Sequence, residues 1–368
     1  MSNTLNNILE KQEFQKEDIM QLLALENPTE IEQLRQQSYL TMKENCGEKV
    51  YLRGLIEFSN YCINDCLYCG IRKSNNLLIR YTLTEEEIIK SAIGCERAGY
   101  GSLVLQSGER RDDKFIEFVE SLVKKIKNET KTDKNPNGLG ITLSIGEQTR
   151  ETYRTLFEAG THRYLLRIET SSPELFRKIH PPEISYKHRL ECLLNLKEIG
   201  FQVGTGVMIG IPGQTIEHLA DDILFFKKMD VDMIGMGPYI VHSDTPMNIF
   251  NDYYIQNKKI ILGLALKMIA VTRQVLKDVN IASTTALQAM SPFGREEGLS
   301  YGANVIMPQL TPERFRKEYK LYDGKPCTDE NSKECFACIE QRIGTTGRTI
   351  GYNEWGDSKH FNKRNGNR

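Results

Sequence analysis

The sequence alternates short apolar runs with helical patterns, and this alternation limits the folds that the chain can adopt. Strands are predicted at residues 50–59, 102–108, 140–146, 163–170, 202–212, 232–240, 281–287 and 303–308. Helical patterns lie between them at 84–101, 112–127, 147–159, 186–199, 214–229 and 256–277, with a weaker one at 290–301. The strands are continuous runs rich in Ile, Val and Leu, as expected of parallel strands covered on both faces. Eight such units predict an α/β fold, a complete (β/α)8 TIM-type barrel, with a doubly wound sheet as the alternative.

The predicted barrel at 50–325 carries an extension at each end. Residues 1–49 contain two helical patterns, NTLNNILEKQ and EIEQLRQQSYLTMKEN, and form an N-terminal helical extension. Residues 326–368 form a C-terminal segment that contains cysteines, and its polar, basic tail after about residue 353 is predicted to fray. The polar stretch 128–138 is predicted to be a surface loop.

Charge and hydropathy exclude several classes of partner. The 48 Lys and Arg residues nearly balance the 49 Asp and Glu residues, so no general field attracts the chain to nucleic acid or to a membrane surface. The start, MSNTLNNILEKQEF, lacks the pattern of a secretory signal. The apolar stretch 260–271 is too short to span a bilayer and contains Lys267. These features predict a cytoplasmic protein without a nucleic-acid or membrane partner.

Six of the nine cysteines fall in two tight clusters. The clusters are Cys62, Cys66 and Cys69, spaced C-x3-C-x2-C, and Cys327, Cys335 and Cys338, spaced C-x7-C-x2-C. An odd, clustered set without a signal peptide favours thiolate metal ligands in a reducing compartment over a disulfide framework. Of the scattered cysteines, Cys95 and Cys192 lie in helical patterns and are expected to be small buried hydrophobes.

The first cluster offers three thiolates, which suits neither a disulfide nor a four-ligand structural zinc. A 4Fe-4S cluster has four irons and is normally held by four cysteines, so three cysteines leave one iron open to a small molecule. Asn64 and Asp65 supply turn residues between the ligands, and Gly70 loosens the exit of the loop. The alternative is a zinc knuckle that recruits Cys46 or Cys95 as its fourth ligand.

Polar residues follow the predicted strands at their carboxyl ends, where barrel enzymes carry their active sites. Strand ends read QSGE (106–109), SIGE (144–147), RIET (167–170), GIPG (210–213), GPY (237–239) and STT (283–285), and the first strand leads into the three-cysteine loop. These groups are predicted to converge on one rim. The alternative is that Glu109, Glu147 and Glu169 are ordinary solvated loop acids.

The C-x3-C-x2-C motif, with Tyr68 before its last cysteine, resembles that of the radical S-adenosylmethionine (SAM) superfamily. The resemblance implies a 4Fe-4S cluster on Cys62, Cys66 and Cys69 and SAM bound to the open iron. It also implies reductive cleavage of SAM to a 5′-deoxyadenosyl radical. Implied SAM contacts are Tyr68, Gly108, Glu109, Ser144, Glu169 and Arg189. The sequence departs from the family pattern at Ser107, where the family has glycine, and at Ile168, where it often has histidine.

Over about residues 1–350, longer segments resemble the HydE family of FeFe-hydrogenase maturases. These segments include IEFSNYCINDCLYCGIR, RYTLTEEEI, VLQSGE, RYLLRIET, GREEGLSYGANVIMP and YKLYDGKPC. The resemblance implies an organometallic substrate, Fe(CO)2(CN)(cysteine), used in assembly of the hydrogenase two-iron subcluster. Implied substrate contacts are Arg53, Thr142, Arg167, Thr284, Thr285, Tyr319 and Tyr322. Implied partners are a reductant such as ferredoxin or flavodoxin and, transiently, other hydrogenase maturases.

The same resemblance implies an auxiliary iron–sulfur cluster, 2Fe-2S or 4Fe-4S, at Cys327, Cys335 and Cys338. Family members vary at this site, so this cofactor is optional, and a zinc ion is an alternative occupant. Two rival functions remain: a methylornithine synthase-like radical SAM mutase, and a non-catalytic zinc or iron–sulfur binding protein. A biotin synthase is disfavoured, because no strand end after the first carries the further cysteines that its second cluster needs.

Overall fold

The computed structural model describes the backbone of residues 3–328 and 332–366 and the side chains of the same residues except 3, 4 and 332–337. The strands are β1 (Lys49–Ser59), β2 (Ser102–Ser107), β3 (Gly140–Ser144), β4 (Arg163–Leu165), β5 (Gln202–Thr205), β6 (Met208–Ile209), β7 (Met233–Ile234), β8 (Gly237–Pro238), β9 (Asn280–Ile281), β10 (Val305–Ile306) and β11 (Thr349–Ile350). Helices of the N-terminal half are α1 (Asn3–Leu9), α2 (Lys16–Leu23), α3 (Pro28–Cys46), α4 (Glu85–Arg97), α5 (Asp113–Glu129), α6 (Arg150–Glu158), α7 (Pro173–Ile179) and α8 (Tyr186–Ile199). Those of the C-terminal half are α9 (Ile216–Met229), α10 (Asn251–Val275), α11 (Thr285–Met290), α12 (Gly294–Ser300), α13 (Glu313–Arg316), α14 (Ser332–Thr345) and α15 (Lys359–Gly366).

The strands form a parallel sheet that closes on itself, which confirms the predicted barrel and excludes the doubly wound alternative. The order around the sheet is β10-β1-β2-β3-β4-β5-β7-β9, with β11 added beside β1. Closure between the last two positions comes from Asn304 N, which donates to Ile281 O at 2.9 Å, and from Ser283 N, which donates to Val305 O at 2.8 Å. After β5 and β7, the chain forms a second short parallel pair, β6 with β8. Helices cover the outside, so most residues of the barrel strands are buried on both faces.

Several strands end earlier than the apolar runs predict. The fourth was expected over 163–170 but ends at Leu165, and the seventh was expected over 281–287 but ends at Ile281. Beyond these points the pairing is irregular: Glu169 has a φ of 65°, and helix α11 begins at Thr285. Isolated backbone contacts continue, because Glu169 N donates to the Gly206 carbonyl oxygen at 2.9 Å and Ser283 N donates to the Val305 carbonyl oxygen at 2.8 Å. The polar residues at the rim are therefore held by backbone as well as side-chain contacts.

The N-terminal extension contains three helices, one more than the sequence predicts. The missed helix, α2, begins after Gln15, whose backbone N–H donates to Asp18 Oδ2 at 3.0 Å. Its residues Ile19, Leu22 and Leu23 are fully buried in the main core. Because α2 has only eight residues, its apolar periodicity is too short to be distinguished from a loop by pattern alone.

The C-terminal tail does not fray as predicted; it packs beneath the barrel. The Gly356 carbonyl accepts hydrogen bonds from Arg53 Nη2 at 3.1 Å and from Asn280 Nδ2 at 2.8 Å. Asp357 Oδ1 lies 2.6 Å from Arg163 Nη2. Both arginines are almost fully buried, and a buried cation requires compensating acceptors. The polar, basic composition that suggested fraying instead supplies those acceptors and the cations of helix α15.

No helix within the described ranges 3–328 and 332–366 combines the length and apolar character needed to cross a lipid bilayer.

Candidate active site

The three-cysteine loop follows β1 and is fixed by backbone hydrogen bonds at several points. Arg80 closes it from one side, because its guanidinium donates to the carbonyl oxygens of Asn60 at 2.6 Å and of Ile71 at 2.9 Å. The same group donates to the Arg72 and Asn75 carbonyls at 2.6 and 3.1 Å. These bonds gather the two ends of the loop around one side chain. Contacts within the protein therefore hold the loop in a defined conformation.

The thiols of Cys62, Cys66 and Cys69 are partly buried on this loop, and their chemistry fits an iron–sulfur cluster. Burial raises the pKa of each of them, that of Cys69 to about 12. Charges on Cys69 and Cys62 further raise the pKa of Cys66. Negative charge on one of these sulfurs disfavours negative charge on the others, so three thiolates on this loop require a bound cationic group, which the irons of a cluster supply.

A network of two carboxylates and two arginines lies beside the loop. The Glu109 carboxylate accepts from Arg111 Nη2 at 2.5 Å and from the backbone N–H of Glu147 at 2.9 Å. Glu147 in turn accepts from Arg111 Nη2 at 3.0 Å and from Arg189 Nε. Burial alone would lower the pKa of Arg189, but Glu147 raises it overall. Among the hydrogen bonds of the described residues, none uses Arg189 Nη2, which leaves that nitrogen able to bind a carboxylate ligand.

A second cation–carboxylate pair adjoins this network, because Arg189 Nη1 donates to the Arg167 carbonyl oxygen at 2.5 Å. Arg167 Nε lies 2.9 Å from Glu169 Oε1, and Arg167 Nη2 lies 2.9 Å from Glu169 Oε2. The same guanidinium donates to the carbonyl oxygens of Val207, at 3.0 Å, and of Gly235. Burial lowers the pKa of Arg167, but the charge of Glu169 outweighs this and raises it. Glu169, a predicted SAM contact, thus forms an ion pair with Arg167, a predicted substrate contact.

Two glycines allow these groups to approach the cysteine loop. A Cβ atom at Gly108 would overlap the Tyr61 carbonyl oxygen and lie 2.8 Å from Cys62 Cβ. A Cβ atom at Gly146 would overlap the Glu109 carboxylate, and the φ of Gly146 is +83°, which favours glycine. Glu109 can therefore lie this close to the cysteine loop only because Gly108 and Gly146 have no side chain.

The cysteine loop and the strand ends enclose a cavity of about 340 Å³. Predicted residues that line it are Cys62, Cys69, Tyr68, Gly108, Glu109, Ser144, Glu169, Arg189, Arg167, Thr284, Thr285, Tyr319 and Tyr322. The Tyr239 hydroxyl and Thr284 Oγ1 are buried without a hydrogen-bond partner in the described structure. Such groups cost free energy unless a ligand or water satisfies them. The cavity is therefore built to receive a ligand with polar atoms.

Arg53 and Thr142 lie lower, around a separate cavity of about 10 Å³ in the barrel interior. Leu165, Gly235 and Ala282 line both cavities, so the small one adjoins the floor of the large one. Arg53 Nε and Thr142 Oγ1 are buried without partners in the part of the chain that the structure describes. The structure thus separates these two predicted substrate contacts from the other five.

Three residues of the site were missed by sequence reasoning. Arg111 links Glu109 to Glu147. Its position two residues after the QSGE motif could have indicated that it lies near the site. Glu57 and Lys325 line the cavity as a buried pair, with Lys325 Nζ 2.5 Å from Glu57 Oε1. Glu57 lies inside a predicted apolar strand, where a carboxylate is uncommon, but no pattern identifies a partner 268 residues away.

At the second cysteine cluster, Cys327 and Cys338 are partly buried, and the side chain of Cys335 lies outside the described residues. Cys327 has a left-handed backbone with a φ of 62°. A different group, Glu147, His188 and Cys192, has potential ligand atoms within 4.8 Å of one another. Two arginines already neutralise Glu147, so we assign no metal to that group.

Comparison with known proteins identifies similar sequences along almost the whole chain. Residues 56–226 match the Radical SAM superfamily family model. The FeFe hydrogenase maturase subunit HydE of Thermotoga maritima is 43% identical over 352 residues, which cover 95% of this chain and 96% of that protein. The 3-methylornithine synthase of Methanosarcina acetivorans is 28% identical and covers 86% of this chain and 85% of its own length.

The fold also matches a solved structure. The crystal structure of methylornithine synthase superposes with a TM-score of 0.78 at 24% identity, and the match covers 95% of this chain and 98% of that one. At this identity the likeness supports the barrel fold alone.

Proposed function

Because the chain belongs to the radical SAM superfamily and, within it, to the HydE family of FeFe-hydrogenase maturases, we propose that it cleaves SAM reductively during hydrogenase maturation. We further propose that its substrate is Fe(CO)2(CN)(cysteine), an intermediate in assembly of the two-iron subcluster. The observation that carries the proposal is the three-cysteine loop, which opens into a polar cavity at the carboxyl ends of the strands. A zinc-binding module would require neither the cavity nor the ion-pair network around it.

We assign the 4Fe-4S cluster to Cys62, Cys66 and Cys69. When bound, the cluster supplies an electron and an open iron for the amino and carboxylate groups of SAM. Glu109, held by Arg111, would accept from the amino group, and the free Nη2 of Arg189 would donate to the carboxylate. Gly108 lets the backbone approach, while Ser144, Tyr68 and Glu169 would contact the rest of SAM. Burial raises the pKa of Tyr68 well above its ordinary value, so its hydroxyl stays protonated.

We propose that the iron substrate occupies the cavity away from the cysteine loop. The donors there would be Arg167, Thr284, Thr285, Tyr319 and Tyr322, with Arg53 and Thr142 below the floor. Cyanide and carboxylate ligands accept hydrogen bonds, and guanidinium and hydroxyl groups provide them. The unpartnered Thr284 hydroxyl supports this assignment, because it lacks an acceptor or donor within the described protein.

The proposed function is tested with anaerobically reconstituted, dithionite-reduced protein. Incubation with SAM should yield 5′-deoxyadenosine and methionine, which chromatography with mass spectrometry detects. Addition of the Fe(CO)2(CN)(cysteine) synthon should change the iron signal in electron paramagnetic resonance spectra. Protein that binds zinc but no iron would contradict the enzyme assignment. SAM cleavage with an unchanged synthon would instead favour a radical SAM mutase of the methylornithine synthase type, to which the chain is 28% identical.

We propose that Cys327, Cys335 and Cys338 hold an auxiliary cluster that takes no part in SAM cleavage. The change Cys335→Ser should lower the iron content of the protein but leave most 5′-deoxyadenosine formation intact, because Cys62, Cys66 and Cys69 are untouched. Iron analysis and a SAM cleavage assay on the same preparation test this. A complete loss of cleavage in folded Cys335→Ser protein would show that the two sites are not independent.

We also propose a ferredoxin- or flavodoxin-type reductant, transient contacts with other hydrogenase maturases, and a cytoplasmic location. Thiolate ligands in two cysteine clusters require a reducing compartment, which supports that location.

A further inference from the structure

A buried ion pair joins the C-terminal side of the cavity to the first barrel strand. The ammonium of Lys325 lies 2.5 and 2.7 Å from the two carboxylate oxygens of Glu57 and 2.8 Å from the Tyr319 carbonyl oxygen. The side chains of Lys325 and Glu57 are only 7% and 2% exposed. Gln309 Nε2 also donates to Glu57, at 2.7 Å. All three ammonium hydrogens have acceptors, so Lys325 has no donor left for a ligand.

Such a pair selects a conformation more than it adds stability. Desolvation of the two charges offsets most of their attraction, so replacing both with apolar groups is often tolerated. Removing one charge alone is costly, because the other remains buried without a partner. Any conformation in which Lys325 has moved away from Glu57 therefore has a high free energy.

The chain that Lys325 holds is a wall of the cavity. Tyr319, Leu321, Tyr322 and Lys325 all line it, and we call residues 319–325 the roof segment. The Leu321 carbonyl accepts from the backbone N–H of Gly70 in the cysteine loop at 3.0 Å. Glu57, the anchor of Lys325, belongs to the strand that leads into the same loop. The pair thus joins the roof segment to the element that positions the cysteines.

We propose that Lys325 is a positioning residue, which fixes the roof segment through Glu57 and so sets where the iron substrate lies relative to SAM. Lys325 acts through Tyr319 and Tyr322 and does not contact the substrate itself. The inference rests on the proposed function, because it concerns the substrate end of the same cavity.

The test compares Lys325→Met with wild-type holoenzyme and with Lys320→Met as the matched control. Lys320 is in the same segment, does not line the cavity and forms no ion pair with any residue that the structure describes. Lys325→Met should raise KM for the Fe(CO)2(CN)(cysteine) synthon at least about tenfold, since small misplacements at a reaction centre are costly. It should also raise the ratio of 5′-deoxyadenosine formed to synthon consumed. Hydrogen–deuterium exchange of the roof segment should become faster, while Lys320→Met behaves as wild type in all three measurements.

Two double variants separate positioning from direct contact. Swapping the charges, Glu57→Lys with Lys325→Glu, rebuilds the ion pair in reverse but loses the hydrogen bond to the Tyr319 carbonyl oxygen, so it should lower KM and slow hydrogen–deuterium exchange relative to Lys325→Met. A swap variant in which hydrogen–deuterium exchange of the roof segment is as slow as in wild type but KM stays raised would show that the ammonium itself meets the substrate, which overturns the proposal. If Lys325→Met does not fold, the double variant that combines Glu57→Met with Lys325→Met can replace it. This double variant removes both charges together and should still show a raised KM.

Unchanged KM and unchanged exchange in Lys325→Met, or in the double methionine variant, would also overturn the proposal. Failure of the proposed function is recognised separately, because wild-type protein would then not cleave SAM or convert the synthon. The exchange measurement still reports whether the ion pair holds the roof segment.

Discussion

Replacing Cys66 with alanine should abolish formation of 5′-deoxyadenosine and remove the spectroscopic signature of the 4Fe-4S cluster. The loop provides three sulfur ligands, and a cluster that loses one of them exposes a second iron and dissociates readily. Iron analysis and electron paramagnetic resonance measure the loss of the cluster, and the SAM cleavage assay measures the loss of 5′-deoxyadenosine formation.

The control is Cys46→Ser, which changes a buried cysteine outside both clusters. Cys46 Sγ accepts a hydrogen bond from Arg273 Nη1 at 3.1 Å, and a serine hydroxyl can take over that contact. We expect wild-type cleavage in this variant. Retained 5′-deoxyadenosine formation in Cys66→Ala would overturn the assignment of the cluster ligands and the function built on it.

The substitution Gly108→Ala should lower SAM cleavage about 100-fold, although it adds only a methyl group. That methyl group would overlap the Tyr61 carbonyl oxygen and press on Cys62 Cβ, so the cysteine loop or Glu109 must move. Both are bound to each other, because Ile63 N donates to the Glu109 carbonyl oxygen at 2.9 Å. The expected signs are a reduced iron content, a raised KM for SAM and a lower cleavage rate.

Gly94→Ala is the matched control, because it adds the same methyl group in helix α4. No atom lies within 4 Å of a Cβ built at Gly94, apart from its chain neighbours and the helix backbone. Alanine in a helix interior is more favourable than glycine by about 0.5–1 kcal/mol, so thermal stability should rise slightly while activity stays unchanged. Equal cleavage rates in both variants would show that the close approach at Gly108 is unimportant.

The barrel could be predicted from the sequence because its signal is local and repeated. Each strand is an apolar run and each helix a periodic pattern, so helix α8 was predicted with its exact bounds, Tyr186–Ile199. The ends of the strands were not predicted correctly, because an apolar run does not show where strand pairing stops. Leu166 and Ile168 are as buried as strand residues, yet they lie beyond the end of β4 at Leu165. Helix α7, Pro173–Ile179, was missed because seven residues give too little periodicity.

Residue types at strand ends predicted which groups meet in the cavity but not how they pair. Glu109, Ser144 and Glu169 line it, as their placement at strand ends suggests, and Arg189, which the family resemblance implied, reaches it from helix α8. Their partners come from tertiary contacts. No local pattern shows that Arg111 joins Glu109 to Glu147. Their roles toward SAM and the iron substrate remain predictions.

The tail beneath the barrel has a consequence for the order in which the protein matures. Arg53 and its acceptor at Gly356 are separated by 303 residues, so on the ribosome the guanidinium is made long before its partner. Until residues 353–358 emerge, closing the barrel would bury two arginines without acceptors. Such distant contacts form late and slowly. We therefore expect cluster insertion to wait until residues 353–358 have packed against the barrel, and substitutions that disturb this packing to yield protein deficient in iron.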